Sequence, residues 1–455
     1  MKTIGMDLGV KGEHKSMVVD DHGRFVGPLR HFGTEAEAIG KVLEEARKGD
    51  PQEGLQVVME PTGMSWFPVA VYLIRQGVTV YLVNSQQVAD LRKYYKKHAK
   101  SDRVDARVLA KLPIVGAEKL HRLELAGAAG LACQRGCKEM EHLVQMSTAT
   151  KNRITALDRF AWPGLEEAVF QDHFTRAAGW FRENWYNPIR VVQAGTERIR
   201  QSWQESQLDP DDAGDWADYL VHMAHKVLDL YGTEGTFINF ELLQAEVLRE
   251  QRLLGFLEAQ IHTLQLKVVH REYRKLHPSR NLETIMGVGQ DGAAVYASFI
   301  GNPRRFASLS QHRSWSGMVP NSKQSSNTET KGLKITQAGP RLIKKYAYLD
   351  ADVARLHDPQ IAAIYYDQMV NKGKHHTQAI CACATHLLDR VLCVLREDRP
   401  FILRDVEGTP VSKPQALQII HDHYTVPEEV RKRNKKHFRK EQAERLSEKM
   451  KARES

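Results

Sequence analysis

Thr3-Ile4-Gly5-Met6-Asp7 is a short apolar run that closes on an acid, and the segments on its C-terminal side set the fold. Lys15-Ser16-Met17-Val18-Val19-Asp20 and Arg24-Phe25-Val26-Gly27 flank Asp21-His22-Gly23, a hairpin turn signal. Ala36, Ile39, Val42, Leu43 and Ala46 then recur at helical steps until Gly49 stops them. Leu55-Gln56-Val57-Val58-Met59-Glu60 reads as a buried strand broken by Pro61-Thr62-Gly63. A helix through Phe67, Val71 and Ile74 leads to a further strand, Val78-Thr79-Val80-Tyr81-Leu82-Val83. Three hairpin-like strands, then helix, strand, helix and strand, is the order of an RNase-H/RuvC-like α/β sheet. That domain is predicted to occupy residues 1–115.

From 116 to 276 the strand signals fade, and a helical region is predicted. Its segment from Leu242 to Val269 carries Leu242, Val247, Leu253, Leu254, Leu257, Ile261, Leu264 and Val268 at helical steps. One apolar stripe of that length predicts a coiled coil or a partner helix, and with it self-association. Trp162, Trp180, Phe181, Trp185, Tyr186, Trp203 and Trp216 mark 160–240 as a helical insertion with its own core. A mainly helical unit is predicted over 277–400, with helices near 340–356 and 375–396 and a polar loop at 316–339. After it comes a basic tail, 401–455, containing Arg431-Lys432-Arg433-Asn434-Lys435-Lys436-His437-Phe438-Arg439-Lys440.

The 455 residues hold 65 Lys and Arg against 56 Asp and Glu, a net charge of +9, which favours a polyanionic partner. A hydrophobic share of 42% is enough for ordinary cores and excludes wholesale disorder. No run of about 18 apolar residues is present, so no membrane span is expected. The N-terminus enters a strand at once and offers no signal peptide. Five cysteines without zinc-like spacing read as reduced thiols, and a cytoplasmic location is expected.

Asp7 and Glu60 end strands of the same predicted sheet, and Asp102 and Asp105 share one helical face at i, i+3. Each acid alone is equally a turn or cap former. Together, four carboxylates gathered at a sheet centre repel one another unless cations hold them. Hard oxygen donors favour Mg²⁺ or Mn²⁺, and two such ions suit an in-line displacement at phosphorus. The second constellation is Ser316-Gly317-Met318-Val319-Pro320-Asn321-Ser322-Lys323-Gln324-Ser325-Ser326-Asn327, with Lys331-Gly332-Leu333-Lys334 shortly after it. No nucleophile elbow or Ser-x-x-Lys helix surrounds these serines, so a hydrolase triad finds no support. A serine attacking a phosphodiester needs its proton taken, and the acid cluster offers the means.

Asp7, Glu60-Pro61-Thr62-Gly63 and Ser101-Asp102-Arg103-Val104-Asp105-Ala106-Arg107 resemble the DEDD domain of the insertion-sequence family 110/1111 transposases. Ile285-Met286-Gly287-Val288-Gly289, Gly301-Asn302-Pro303-Arg304-Arg305-Phe306, and Gly317-Met318-Val319-Pro320 through Ser325 to Gly332 resemble that family's C-terminal transposase domain. Asn371-Lys372-Gly373-Lys374 resembles its closing segment. The resemblance implies a DNA recombinase that cuts and rejoins through a 5′-phosphoserine link, guided by a bridge RNA and acting as a homodimer or homotetramer with composite active sites. It also implies Asp7, Glu60, Asp102 and Asp105 as catalytic metal ligands and Ser325 as nucleophile. The family commonly has Gly after that serine, whereas Ser326-Asn327 stands here, which leaves Ser326 as an alternative. A metal-dependent RuvC-like nuclease and a nucleic-acid scaffold with a degenerate site are the rival readings.

Arg304, Arg305, Lys331, Lys334, Arg341, Lys344 and Lys345 place cations around the serine loop, and Arg92-Lys93-Tyr94-Tyr95-Lys96-Lys97-His98 mixes cations with aromatics. Such mixtures clamp phosphates and stack bases. The turn Gly287-Val288-Gly289 before a helix suits a close phosphate approach.

Overall fold

The computed structural model describes residues 1–48, 50, 52–83, 88–91, 102–116, 120–165, 172–208, 213–233, 237–320, 324–325, 328–329, 335–336 and 338–454. Two compact units divide the chain, Met1–Leu125 and Ala126–Ser455.

The first unit is a mixed α/β domain. Its elements are β1 (Lys2–Asp7), β2 (His14–Val19), β3 (Arg30–Phe32), α1 (Ala36–Ala46), β4 (Leu55–Met59), α2 (Trp66–Arg75), β5 (Thr79–Leu82) and α3 (Asp102–Gly116). The sheet order is β3-β2-β1-β4-β5, with β1 antiparallel to β2 and parallel to β4. Alternation along the strands sorts their side chains between two faces. Ile4, Met6, Val57 and Met59 pack with Ile39 and Leu43 of α1 and with Val69 and Leu73 of α2. Val58, on the other face, packs with Val108 and Leu109 of α3.

Gly5 lets α3 lie directly on β1. A Cβ there would stand 2.2 Å from the Ala106 carbonyl oxygen and 2.3 Å from the Ala110 nitrogen. The later part of α3 reaches toward the start of β1. Lys111 and Arg107 lie over the Phe25 ring, and Ile114 meets Gly23, just past the end of β2 that pairs with Thr3. The helix therefore runs against β1, and its first turn stands above the C-terminal ends of β1 and β4.

The predicted third strand, Arg24–Gly27, makes only an isolated bridge from Phe25 to Val19. Gly27 takes φ +82° and Pro28 has no N–H to donate, so regular pairing resumes only at β3. In α2 the buried side is Val69, Ala70 and Leu73 rather than Phe67, Val71 and Ile74. That helix is apolar around most of its circumference, and its sequence alone does not choose a face.

The remainder is mostly helical. α4 (Ala128–Ala161), α5 (Arg176–Asn184), α6 (Pro188–Glu205), α7 (Ala213–Tyr231) and α8 (Phe240–Leu264) come first. α8 runs antiparallel along α4. Lys151 pairs with Glu258 at 2.8 Å, Arg153 with Glu246 and Glu250 at 2.7 Å, and Gly136 faces Val268 and Val269. The predicted stripe of α8 divides: Val247, Leu254 and Leu257 are buried while Leu242 is 67% exposed. Its partner is a helix of the same chain.

Between these two helices, Trp162, Trp180, Phe181, Tyr186 and Trp203 form the core of the insertion. Arg182, 2% exposed, holds Asp158 through two nitrogens, the shortest contact being 2.6 Å. Such a buried pair is stable only because the fork geometry satisfies both groups. Tyr231 donates to the Phe160 carbonyl at 2.9 Å and its ring lies 6.3 Å from that of Phe240. The insertion thus begins and ends at neighbouring points.

The C-terminal part contains α9 (Arg271–Leu276), α10 (Gln290–Ile300), α11 (Leu309–Ser316), the short strands β6 (Gln324–Ser325) and β7 (Thr328–Glu329), α12 (Arg341–Ala354), α13 (Pro359–Tyr366) and α14 (His376–Glu397). By length and composition α14 resembles a membrane span, but Ile380, Cys383, Leu387, Leu388, Val391 and Leu392 are core residues. The region after 400 is more than a tail: α15 (Lys413–His423) and α16 (Glu428–Glu454) are regular helices. Val426 joins the core, and Val430 packs against it.

Candidate active site

Met6 pairs with Met59 in parallel register, so Asp7 and Glu60 come next on adjacent strands, about 4.8 Å apart in backbone terms. Both share the face of Gly5 and Val58, the face that α3 covers. Asp105 is 7% exposed and precedes Ala106, the residue seated on Gly5. Asp102 opens α3. Asp7 and Glu60 thus lie at the C-terminal ends of β1 and β4, on the face that α3 covers, and the first turn of α3 bears Asp102 and Asp105. Among the described residues no three carboxylate, imidazole or thiol groups stand close enough to share a cation. The side chain of Asp102 lies outside the described residues. The donor set is all hard oxygen, and its chemistry fits Mg²⁺ or Mn²⁺.

Lys15 stands directly opposite Asp7 in the β1–β2 ladder and so shares the acids' face. Sequence reasoning missed this cation. The hairpin register that identifies it depends on turn geometry, although period-two counting back from Met17, opposite Gly5, recovers it.

In the second unit Ser325 is in β6, paired with Thr328 of β7. The side chain of Ser325 lies outside the described residues, as do Ser326, Lys331, Lys334 and the run Arg92–His98. Arg304 is exposed, and Arg305 lies over the rings of Phe306 and Trp315, at 4.5 and 4.7 Å from their centres. The Lys344 ammonium donates to the carbonyls of Thr336 and Ala338, at 3.3 and 2.8 Å, and burial lowers its pKa. It ties the end of the serine loop to α12. Lys345 is paired with Glu141.

At the Gly287-Val288-Gly289 turn, Gly287 has φ +88°, and a Cβ there would come within 2.2 Å of the Asp350 carbonyl oxygen. The start of α10 already carries acids. Asp291 meets His270 and Gln265 at 2.7 Å, and the Asp350 carboxylate rests against Gly292 while accepting from the Tyr296 hydroxyl at 2.7 Å. Burial pushes the Asp350 carboxyl up to about 7.

A family model described as a transposase, the DEDD transposase of IS110, matches residues 4–163, and a second, described as transposase of the IS116/IS110/IS902 family, matches 279–366. Together they span more than half of the chain.

The chain belongs to the IS110 family of transposases.

Among its relatives, the uncharacterized 43.6 kDa protein of insertion element IS110 from Streptomyces coelicolor is 28% identical over 75% of this chain and 82% of that protein. The uncharacterized 44.8 kDa protein of IS116 from Streptomyces clavuligerus is 22% identical, over 88% of this chain and 95% of its own. The uncharacterized 42 kDa protein of IS900 from Mycobacterium paratuberculosis is 23% identical, over 86% and 95%. A transposase of this family cuts and rejoins DNA. In this one the matched N-terminal segment carries all four acids and the matched C-terminal segment carries Ser325.

Proposed function

We propose that this transposase moves its DNA element by serine-linked strand transfer in an RNase-H/RuvC-like active site. Asp7, Glu60, Asp102 and Asp105 would hold Mg²⁺ or Mn²⁺, which supplies charge stabilisation at the scissile phosphate when bound. The Ser325 oxygen attacks phosphorus, the bond to the 3′ oxygen breaks, and the serine proton ends on the departing 3′-hydroxyl. A 5′-phosphoserine diester remains. Attack by the 3′-hydroxyl of another strand reverses the same bond changes, releases Ser325 and joins the new strands without an external energy source. A bridge RNA pairing with donor and target DNA chooses the sites, and a homodimer or homotetramer in the cytoplasm completes composite centres.

The observation that carries this reading is the in-register placement of Asp7 and Glu60 at the ends of adjacent strands, on the face where α3, which bears Asp102 and Asp105, lies against the sheet. The sheet order, with three antiparallel strands and then two parallel ones, supports the RNase-H-like assignment. The test incubates purified protein with its RNA, Mg²⁺ and element-end DNA, then traps and maps covalent adducts. An adduct on Ser325 that disappears in Ser325→Ala is expected. An adduct mapped to Ser326 moves the nucleophile by one residue, and undiminished cleavage by Ser325→Ala makes the enzyme a hydrolytic nuclease instead.

A further inference from the structure

Helix α16 has a docked side and an outward side that its sequence alone does not distinguish. Val430, Asn434 and Phe438, four residues apart, face the rest of the unit. Asn434 is 3% exposed, and its amide donates to the carbonyls of Met369 (2.7 Å) and Lys374 (3.0 Å). Phe438 stacks on His375 with ring centres 4.3 Å apart. A two-bond polar anchor and a ring stack fix the helix's rotation as well as its position. Opposite them, Lys432, Lys435, Lys436, Arg439 and Lys440 are all exposed. They keep the i, i+3, i+4, i+7, i+8 spacing of a single helical face, here built of cations. Lys432 and Lys440 have exposed partners, Glu428 at 2.8 Å and Glu444 at 4.0 Å, and such pairs are weak. Among the described residues Lys435, Lys436 and Arg439 have no carboxylate partner.

We propose that this face of α16 binds the phosphate backbone of duplex DNA. This rests on the reading of the chain as a DNA strand transferase, which makes DNA the polyanion at hand. Over about 12 Å of helix the stripe meets a duplex that carries one charge per roughly 1.7 Å. No apolar side chain lies in the stripe to enter a lipid surface. No aromatic one lies there either: Phe438 is spent on His375, and unpaired RNA bases find no stacking platform. What remains is contact with phosphates alone, independent of sequence.

The test measures binding of the full-length protein, in chelator, to a duplex of unrelated sequence and to a structured RNA across a salt series. Replacing Lys435, Lys436 and Arg439 with Gln should flatten the slope of log K against log salt on DNA by about 2 to 3, at roughly 0.9 per lost contact. RNA binding should be unchanged. The charge-preserving pair Lys435→Arg and Lys436→Arg should keep the original slope, which separates lost charge from lost fold. An unchanged DNA slope in the Gln variant overturns the proposal, and so does loss of RNA affinity with DNA binding intact. Because equilibrium binding is read on unrelated duplex and needs no strand to be cut, the result is independent of whether Ser325 forms adducts.

Discussion

Single residues set both the seat of α3 on the sheet and the pH response of the molecule. Gly5→Ala should lift α3 from the sheet, because the new methyl would meet backbone rather than a side chain that can swing away. A loss of about 3 kcal/mol in urea unfolding is expected, together with loss of strand cleavage; wild-type stability would contradict the close approach. His312 is fully buried, neither ring nitrogen has a hydrogen-bond partner, and burial lowers its pKa to about 4 from the usual 6.5. The unfolded chain binds this proton first, so the stability it contributes is present above 6.5 and is lost as pH falls toward 4. At roughly 1.4 kcal/mol per unit this amounts to about 3 kcal/mol. Asp350 has the opposite sign: its raised pKa favours the fold below 3.8 and loses that contribution as pH rises through about 7. Between pH 4 and 6.5 the two offset one another. His312→Phe should therefore gain stability relative to wild type as the solution is acidified through that window, and Asp350→Asn should gain above pH 7. Thermal melts across pH read both, and parallel curves would contradict the assignments.

Elements are legible in the sequence where burial keeps a regular period. The β1, β2, β4 and β5 runs and α1 stand out because apolar residues alternate or recur at helical steps, and the acids at strand ends stand out because they close such runs. The turn signal by itself puts the third strand too early, since Gly27 and Pro28 act after the hairpin signal has passed. Short, polar α11 carries too few apolar residues to announce itself. The docking of α16 is hidden for a related reason: Val430, Asn434 and Phe438 are a thin stripe among many cations, and the middle one is polar. Removing that anchor should undo the docking. Asn434→Ala leaves two carbonyls without their donor, at a cost of about 2–3 kcal/mol, and trypsin should then cut between Arg431 and Lys440 much faster than in the parent. Equal digestion rates would show that the aromatic stack alone holds the helix.

Across the whole molecule, binding and chemistry should separate. Chelation should abolish strand cleavage while leaving salt-dependent DNA binding intact, with Mg²⁺ or Mn²⁺ restoring cleavage, because the net charge of +9 lies in side chains that need no ion. Cleavage that persists in chelator would sink the carboxylate assignment. The insertion between α4 and α8 has a different bearing. Its termini nearly touch, joined through Tyr231, and its tryptophan-rich core also takes in Ile154 of α4 and Val247 and Leu254 of α8. A segment with that anatomy leaves and re-enters the α4–α8 hairpin at one point, so the two hairpin helices stay in register however long the chain between Phe160 and Phe240 runs.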